Sequence, residues 1–513
     1  MNLAFCLPRG ACWRTALLVA ALAMAAATAR AELQVVEESD EGHLTIYKMT
    51  VTPAAEPDPA LKHRLTPEEM DLKPGNAALF YTRAFAEGYV RSAWKGIEKE
   101  HGFDVVHGGE KSSSWISTTL PLNELPLEAA RSAASKFDTI VEQFVARGTV
   151  RRDCDWGHHL EELRGENVFS LLLPEIQESR SLSRALMLRT RVAIAEGDYQ
   201  RAIDHLRMNY RLAEHVAEAP FLVSGLVGVA EAGLGNAEVI ELISQKSSPN
   251  LYWALAELPR PFIDLRTAVR FEMGNALRIF PFLLNAESQE HSPDEWARLI
   301  AEGVSQFGQF SDGGPPSSAS RTANQAAVTG LAIIIYPDAK QRLIASGMDA
   351  ARVEQLPVGQ VVAIDASREY RRLADEFEKW WYVPYRVAKG RAAEADKLLS
   401  EGSRGAGRFR GGMGRSMAAL LLPAMEAARN AQMRLEWQLD SLMAVEAIRM
   451  HAAETGALPA TLEEITVVPT PENPATGEPF EYRLDGETAV LELPFSDGFA
   501  GVAWRYEITL ASE

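Results

Sequence analysis

The densest group of side chains able to do chemistry is one ten-residue stretch, DCDWGHHLEE, from Asp153 to Glu162. Carboxylates and imidazoles are groups that bind metal ions and transfer protons near neutral pH. The sequence therefore offers Asp153, Asp155, His158 and His159 as candidate metal ligands or acid–base groups. Adjacent His side chains point in different directions on a helix or a strand, so one ion is not expected to bind both. The chain has no HExxH motif, which would place two His one helical turn apart.

The same stretch also has a purely structural interpretation. Trp156 would enter the core, Asp155 would cap a helix and Gly157 would form the turn that leads into it. Cys154 is the one cysteine that follows Ala31 in the sequence, and we expect it to be buried, because a free Cys behaves as a small apolar side chain. The flanking carboxylates oppose thiolate formation and so argue against a nucleophile. The structural interpretation is favoured; the sequence predicts no metal and no cofactor, and it leaves catalytic residues unknown.

A second candidate is the stretch SEGSRGAGRFRGGMGR, residues 400–415, which carries four Arg and no acid after Glu401. Its cations could contact an anionic partner, with Phe409 stacking on that partner; they are Arg404, Arg408, Arg410 and Arg415. The preferred alternative is a loop whose charge is balanced by acidic neighbours. Two of its glycines have the spacing of a dinucleotide-binding motif, but no strand precedes them, so a nucleotide cofactor is not predicted.

The start of the chain, from Met1 to Ala31, has the pattern of a secretory signal peptide. Arg9 and Arg14 precede an apolar run from Thr15 to Ala27, and Ala29-Arg30-Ala31 is a small-x-small cleavage site. The apolar run is shorter than the roughly 20 residues that span a bilayer, and no later segment reads as transmembrane. The sequence therefore predicts export, with cleavage near Ala31 and a periplasmic or extracellular location.

The charge of the exported chain narrows the choice of partners. Removing the three Arg of the signal peptide from the 52 Lys and Arg leaves 49 cations against 70 Asp and Glu, a net charge of −21. Such a chain repels polyanions unless it has a local basic face. We therefore expect a protein or cell-envelope partner and no nucleic acid; the sequence leaves the oligomeric state open.

Apolar periodicity and turn residues predict a mainly α fold with a helical-hairpin body, an N-terminal β-hairpin and a small C-terminal α+β subdomain. The expected divisions are 1–31 signal peptide, 32–75 hairpin and linker, 76–399 helical body, 400–415 Gly/Arg-rich loop and 416–513 α+β subdomain. Within the body, Gly197-Asp198 separates two helices, and Asp198 should cap the second. In the subdomain, a helix from Ser416 to about Glu454 precedes three short strands with a hairpin turn at Asp485-Gly486.

Two parts of the chain resemble known families. The Gly-Asp-Tyr phrase from Gly197 to Ala202 resembles the turn of a tetratricopeptide repeat (TPR), over about one helix pair. Residues 416–513 resemble the globular part of type II secretion pseudopilins, through Gly456-Ala457-Leu458-Pro459 and the turn Asn473 to Phe480. The processing site and the apolar N-terminal helix of pilins are missing, so this resemblance implies shape rather than assembly. The whole chain resembles uncharacterised exported bacterial helical proteins, which implies location and architecture but no activity.

Three functional hypotheses follow. The leading one is an exported, non-catalytic helical protein that binds another protein or an envelope component through an exposed groove along residues 181–300. The second is an envelope hydrolase or metal-dependent enzyme, which requires the acids and His of residues 153–162 to converge in a pocket. The third is a pilin-system or type II secretion accessory subunit, which requires an exposed apolar face on the C-terminal helix.

Overall fold

The computed structural model describes residues 33–38, 43–108, 114–160, 173–312, 330, 334–391, 412–493 and 502–511. The longer helices are α1 (Ala78–Phe85), α2 (Tyr89–His101), α3 (Leu127–Ser135), α4 (Pro174–Ala195), α5 (Tyr199–Ala217), α6 (Leu222–Ile243), α7 (Arg266–Ile279), α8 (Pro293–Asp312), α9 (Val358–Glu378) and α10 (Gly412–Thr455). Shorter helical segments are Ala86–Gly88, Asp104–His107, Leu122–Glu124, Asp138–Ile140, Val141–Val145, Ala146–Gly148, Tyr252–Ala256, Pro281–Leu284, Ala350–Gln355, Lys379–Tyr382, Tyr385–Ala388 and Leu462–Glu464, and residues 334–345 are helical as well. The strands are β1 (Leu33–Glu38), β2 (His43–Val51), β3 (Lys73–Asn76), β4 (Arg151–Asp153), β5 (Glu481–Asp485), β6 (Thr488–Leu493) and β7 (Val502–Leu510). The predicted mainly α fold, with a helical-hairpin body, an N-terminal strand pair and a small C-terminal α+β part, is confirmed.

The turn between α4 and α5 forms as its residues predict. Gly197 has φ of +74°, a conformation that costs glycine little because it has no Cβ. The Asp198 carboxylate then accepts a hydrogen bond from the backbone N–H of Arg201 at 3.1 Å, so it caps α5 as expected. The two helices pack antiparallel, and α6 packs on both of them.

Small residues on α6 let it approach α5 closely. A Cβ at Gly228 would lie 2.6 Å from the carbonyl oxygen of Ala213, and a Cβ at Gly235 would lie 3.2 Å from Asn209 Nδ2. Fourteen of the 22 residues of α4 and fifteen of the 22 residues of α6 are buried. These helices are therefore covered on more than one face.

The long helix α10 lies between the helical body and the C-terminal strands. It packs against α9 and α6, and its Trp437 ring stacks 5.2 Å from Trp504 of β7. Residues 441–450 are all buried between these neighbours. The helix ends at Thr455, and Gly456 follows with φ of +77°, as the Gly-Ala-Leu-Pro phrase predicts.

The N-terminal hairpin and the C-terminal strands form one sheet. The strand order is β1-β2-β7-β6-β5, with β2 parallel to β7 and His43 opposite Val502. The other neighbours in this sheet are antiparallel. The sequence predicts the hairpin and the last three strands as local units; the pairing of strands from opposite ends of the chain was not foreseen. A second, two-stranded parallel sheet joins β3 to β4.

A cluster that we call the buried arginine junction ties the chain together. Arg449 of α10 is fully buried and pairs with Glu446 at 2.7 Å. It also donates to the backbone carbonyls of Thr52 at 3.1 Å and Ser248 at 2.9 Å. Glu446 in turn accepts from the backbone N–H of Leu251 at 2.9 Å. One residue thus joins the end of β2, the connection after α6 and the long helix.

A helix that crosses a bilayer needs about 20 mostly apolar residues. Within the described ranges, none of the helices combines the length and the apolar content that crossing a membrane requires.

Candidate functional site

A cavity of about 280 Å³ lies beside the predicted cluster. We call it the loop pocket. It is lined by two short segments, residues 154–160 and residues 218–220. The first segment follows β4, and the second connects the carboxyl end of α5 to α6. Of the candidates predicted from the sequence, Asp155, His158 and His159 line this pocket, whereas Asp153 lies just outside it, exposed at the end of β4.

Asn76 fixes the backbone of the first segment. Its side-chain Nδ2 donates to the carbonyl oxygen of Asp155 at 2.6 Å, and its Oδ1 accepts from the N–H of Asp155 at 2.9 Å. The same Oδ1 accepts from the N–H of Ala78 at 2.9 Å, at the start of α1. Next to it, the N–H of Ala77 donates to the carbonyl oxygen of Asp153 at 2.8 Å. The amide therefore pairs with Asp155 in the way that a backbone peptide group does in a sheet.

Trp156 anchors the same segment in the core, as the structural interpretation predicts. Its ring stacks on Tyr81 at 5.9 Å and on Phe85 at 6.4 Å, and its indole N–H donates to the carbonyl oxygen of His215 at 3.0 Å. Gly157 has φ of +71° and forms the predicted turn. Asp155, in contrast, closes this turn by accepting from the N–H of Gly157 at 2.9 Å rather than by capping a helix.

Cys154 forms part of the pocket wall and is buried, as predicted, with 5% of its surface exposed. Burial, together with the negative charge of Glu218, raises the pKa of its thiol far above the ordinary range. The thiolate is the reactive form of cysteine, so this side chain contributes shape to the pocket rather than nucleophilic chemistry. Its backbone N–H donates to Oε2 of Glu218 at 2.8 Å and so connects the two segments that line the pocket.

Glu218 supplies the carboxyl group on the opposite wall. Desolvation raises its pKa to about 7, against the lowering effects of the Cys154 N–H and of Arg211. The residue as a whole is exposed, so its carboxyl group lies at the rim of the pocket. Full burial would raise the pKa of Glu218 further than this partial burial does. This carboxyl group therefore changes its charge between mildly acidic and neutral pH.

His158 is held by a glutamate from the next helix. Its Nε2 lies 2.8 Å from Oε1 of Glu175 in the first turn of α4, and the two side chains are only 10% and 12% exposed. The ring also meets Phe221 edge-on at 5.1 Å. A carboxylate that binds one ring nitrogen fixes the orientation of a histidine ring. The next residue, His159, is exposed and has φ of +47°, a conformation that is uncommon outside glycine.

A metal site needs several ligands that converge on one ion. In the described ranges, no group of three or more His, Cys, Asp or Glu side chains is placed so that it could hold a metal ion. Glu161 and Glu162 of the predicted cluster lie outside the described residues. A catalytic metal site uses three protein ligands in most zinc enzymes. The metal assignment of Asp153, Asp155, His158 and His159 therefore stays a prediction, without geometric support from the residues that are described.

The four candidate arginines of residues 400–415 separate into two groups. Arg404, Arg408 and Arg410 lie outside the described residues. Arg415 lies on α10, where its Nη2 donates to Oε1 of Glu369 on α9 at 3.1 Å. The side chain of Arg415 is 27% exposed and that of Glu369 is 13% exposed. Arg415 thus joins two helices within the protein, and it is itself helical, whereas the sequence predicts a loop as far as residue 415.

Sequence reasoning missed the residues that complete the pocket. Asn76, Glu175 and Glu218 lie between 17 and 79 positions away from their partners in the loop. No local motif marks them, because each is an ordinary polar residue near a helix terminus. No family model, curated protein or solved structure matches this chain, so the resemblances to TPR, pseudopilin and exported helical proteins stay predictions, and the pocket is interpreted from its own chemistry.

Proposed function

We propose that this chain is an exported binding protein that holds a small polar ligand in the loop pocket. The observation that carries the proposal is the convergence of Asp155, His158, His159 and Glu218 around one cavity of about 280 Å³. That volume lies just below the range for drug-sized ligand sites, about 300–1,000 Å³, and so suits a smaller molecule. The backbone that presents these groups is fixed by Asn76 and by the partly buried Trp156 ring. A site on fixed backbone binds with a small loss of conformational entropy.

The lining residues favour a ligand that donates hydrogen bonds. None of the ten described residues around the pocket is Lys or Arg, whereas two of them are carboxylates. A carboxylate ligand would therefore meet like charge, which weakens binding, and a small amine or polyol would meet acceptors. Trp156 adds an aromatic surface, which attracts ammonium groups. The expected ligand class is a small ammonium or hydroxyl compound.

Calorimetric titration of the exported protein with ethanolamine, glycerol and acetate tests this proposal. We expect ethanolamine to bind best, and its affinity to rise as the pH passes through about 7, because Glu218 then becomes negatively charged. The variant Glu218→Gln should lose this pH dependence. The variant Glu487→Gln removes an exposed carboxylate from the turn after β5 and serves as the matched control. Equal binding of acetate, or the same loss in both variants, would contradict the proposal.

A second candidate function, acid–base catalysis, is favoured by the contact between His158 and Glu175. An imidazole oriented by a neighbouring carboxylate is an arrangement found in hydrolases. This function predicts turnover of chromogenic esters or phosphoesters, with a loss of kcat in His158→Gln and Glu175→Gln. Ethanolamine binding without turnover of any such substrate would leave the binding function and remove the catalytic one.

A further inference from the structure

A second surface stands out by its composition. Residues 379–391, KWWYVPYRVAKGR, contain four cations and no acid in a chain of net charge −18. They form the short helical turns Lys379–Tyr382 and Tyr385–Ala388, which directly follow α9. We call this segment the basic aromatic turn. The four cations, Lys379, Arg386, Lys389 and Arg391, are all exposed.

Apolar side chains are exposed on the same segment. Tyr382 is 48% exposed and Val387 is 53% exposed, and Trp381 is half-buried. Cations lie over the ring of Trp380, with Lys379 Nζ 5.4 Å and the Arg391 guanidinium 5.8 Å from its centre. The surface therefore combines apolar, aromatic and cationic groups within one short segment.

The long helix holds the inner side of this turn in place. Arg429 of α10 donates to the carbonyl oxygen of Val383 at 2.9 Å, and its guanidinium lies 5.5 Å from the centre of the Trp381 ring. The Tyr385 hydroxyl donates to Oδ1 of Asn430, also on α10, at 2.9 Å. Because the inner side is fixed, the exposed side chains are presented without a need to order the backbone on binding.

The acids at the end of α9 do not cancel the positive charge. Glu376 already pairs with Lys379, and Glu378 pairs with Arg270 at 3.1 Å. Arg270 belongs to α7, and its guanidinium lies 5.7 Å from the centre of the Tyr382 ring, so it adds a fifth cation to the surface. With the exposed Asp375 of α9 included, five cations meet three carboxylates, so the surface keeps an excess of two positive charges.

We propose that the basic aromatic turn docks on a membrane surface of anionic phospholipid. Tyr and Trp are enriched where a protein meets the lipid headgroups, and Lys and Arg near an anionic surface add attraction. The acidic charge of the rest of the chain does not prevent this, because screening at physiological salt reduces the effect of charges beyond about 8 Å. Val387 and Tyr382 would enter the headgroup region, while the cations contact lipid phosphates. This proposal does not depend on the loop pocket.

Sedimentation with vesicles tests the docking. The exported protein is mixed with vesicles of phosphatidylcholine alone and with vesicles of an equimolar mixture of phosphatidylcholine and phosphatidylglycerol. We expect binding to the mixed vesicles only, falling as salt rises. The double variant Val387→Ser, Lys389→Glu should weaken binding on the order of tenfold or more, because it removes an apolar contact and reverses one charge. Its matched control is Leu61→Ser, Lys62→Glu, an exposed aliphatic and lysine pair elsewhere on the chain.

Three outcomes would overturn the proposal. The first is no sedimentation with either kind of vesicle. The second is equal binding to neutral and anionic vesicles, which would remove the electrostatic basis of the docking. The third is an equal loss of binding in the two double variants, which would assign the attraction to overall charge rather than to this turn. Unchanged circular dichroism of both variants is required, so that a loss of binding is not a loss of folding.

Discussion

One amide side chain determines the shape of the loop pocket. Asn76 makes three hydrogen bonds, two to the backbone of Asp155 and one to the N–H of Ala78. No other side chain of similar size offers both an acceptor and a donor in this geometry. The same residue therefore caps the entry to α1 and positions the segment that carries His158 and His159.

The variant Asn76→Ala is expected to lower the free energy of unfolding by about 1–2 kcal/mol, because it removes two solvent-exposed hydrogen bonds to the backbone of Asp155 and one to Ala78. It should also weaken ethanolamine binding at the pocket. Urea unfolding followed by circular dichroism measures the first effect. Asn76→Asp is the control, since it keeps the acceptor and loses only the donor; its loss should be smaller. Equal stability of the alanine variant and the natural protein would show that Asn76 does not hold the loop.

A different residue, Glu231 on α6, lies in the core with 1% of its surface exposed. In the part of the chain that the structure describes, neither of its carboxyl oxygens has a hydrogen-bond partner. The neighbouring Ser179 hydroxyl donates instead to the carbonyl oxygen of Ile176 at 3.0 Å. Desolvation raises the pKa of Glu231 to about 8. The folded protein therefore holds a proton here at pH values where the unfolded chain has released it.

This proton makes stability fall as the pH rises. Between the unfolded pKa of 4.5 and the folded value of about 8, the folded state binds more protons than the unfolded state, so the unfolding free energy decreases with pH. The variant Glu231→Gln should remove up to about 1.4 kcal/mol of this decrease per pH unit. Urea midpoints of both proteins across this range provide the test. A constant difference between the two proteins at every pH would contradict a raised pKa.

At the scale of elements, local residues predict the helices and turns well. Gly197 and Asp198 form the turn and the cap of α5, and Gly456 ends α10, because each acts through its own backbone or its nearest neighbours. The hairpin around Gly486, which has φ of +64°, follows the same rule. Each of these features depends on a few residues that are close together in the sequence, so the sequence alone is enough to predict them.

The close contact of α5 with α6 gives a prediction at this scale. A Cβ at Gly228 would lie 2.6 Å from the carbonyl oxygen of Ala213 and 3.0 Å from Cβ of Ala217. Since neither group is the end of a flexible side chain, Gly228→Ala should force the helices apart and cost about 1–3 kcal/mol. Gly274→Ala is the matched control in α7, where nothing lies within 4 Å of the added carbon. It should be neutral or stabilise by up to about 1 kcal/mol. Thermal unfolding that ranks both variants equally would contradict the packing argument.

The candidate site was predicted only in part, because it is assembled from several elements. The sequence marks His158 and His159 through their density of polar neighbours, and it places Trp156 in the core. It does not indicate that Glu175 orients His158 or that Glu218 closes the pocket, since those contacts depend on how α4 and α5 pack. Local sequence patterns therefore cannot predict these contacts, because tertiary packing determines which polar side chains lie close together.

At the scale of the whole molecule, the two ends of the chain meet in one sheet. The parallel pairing of β2 with β7 places Ile46 opposite Arg505 and Tyr47 opposite Tyr506, whose rings stack at 5.2 Å. Such a pairing cannot be deduced from one sequence, because the alternation of apolar residues predicts a strand but not the strand with which it pairs. It also means that the C-terminal α+β part includes N-terminal strands, which a pilin-like subdomain limited to residues 416–513 would not require.

The buried arginine junction connects this sheet to the helical body, and it gives the prediction at the largest scale. Arg449→Met removes the cation but leaves the Glu446 carboxylate fully buried, so we expect a loss of about 3–5 kcal/mol in unfolding free energy. The double variant Arg449→Met, Glu446→Gln should recover part of this loss, because no charge then remains without a partner. Arg505→Met, in a partly exposed ion pair with Glu492, is the control and should cost only about 0–1 kcal/mol. Urea unfolding of these proteins and of the single variant Glu446→Gln measures the coupling, and additive losses in the double variant would mean that Arg449 and Glu446 act independently.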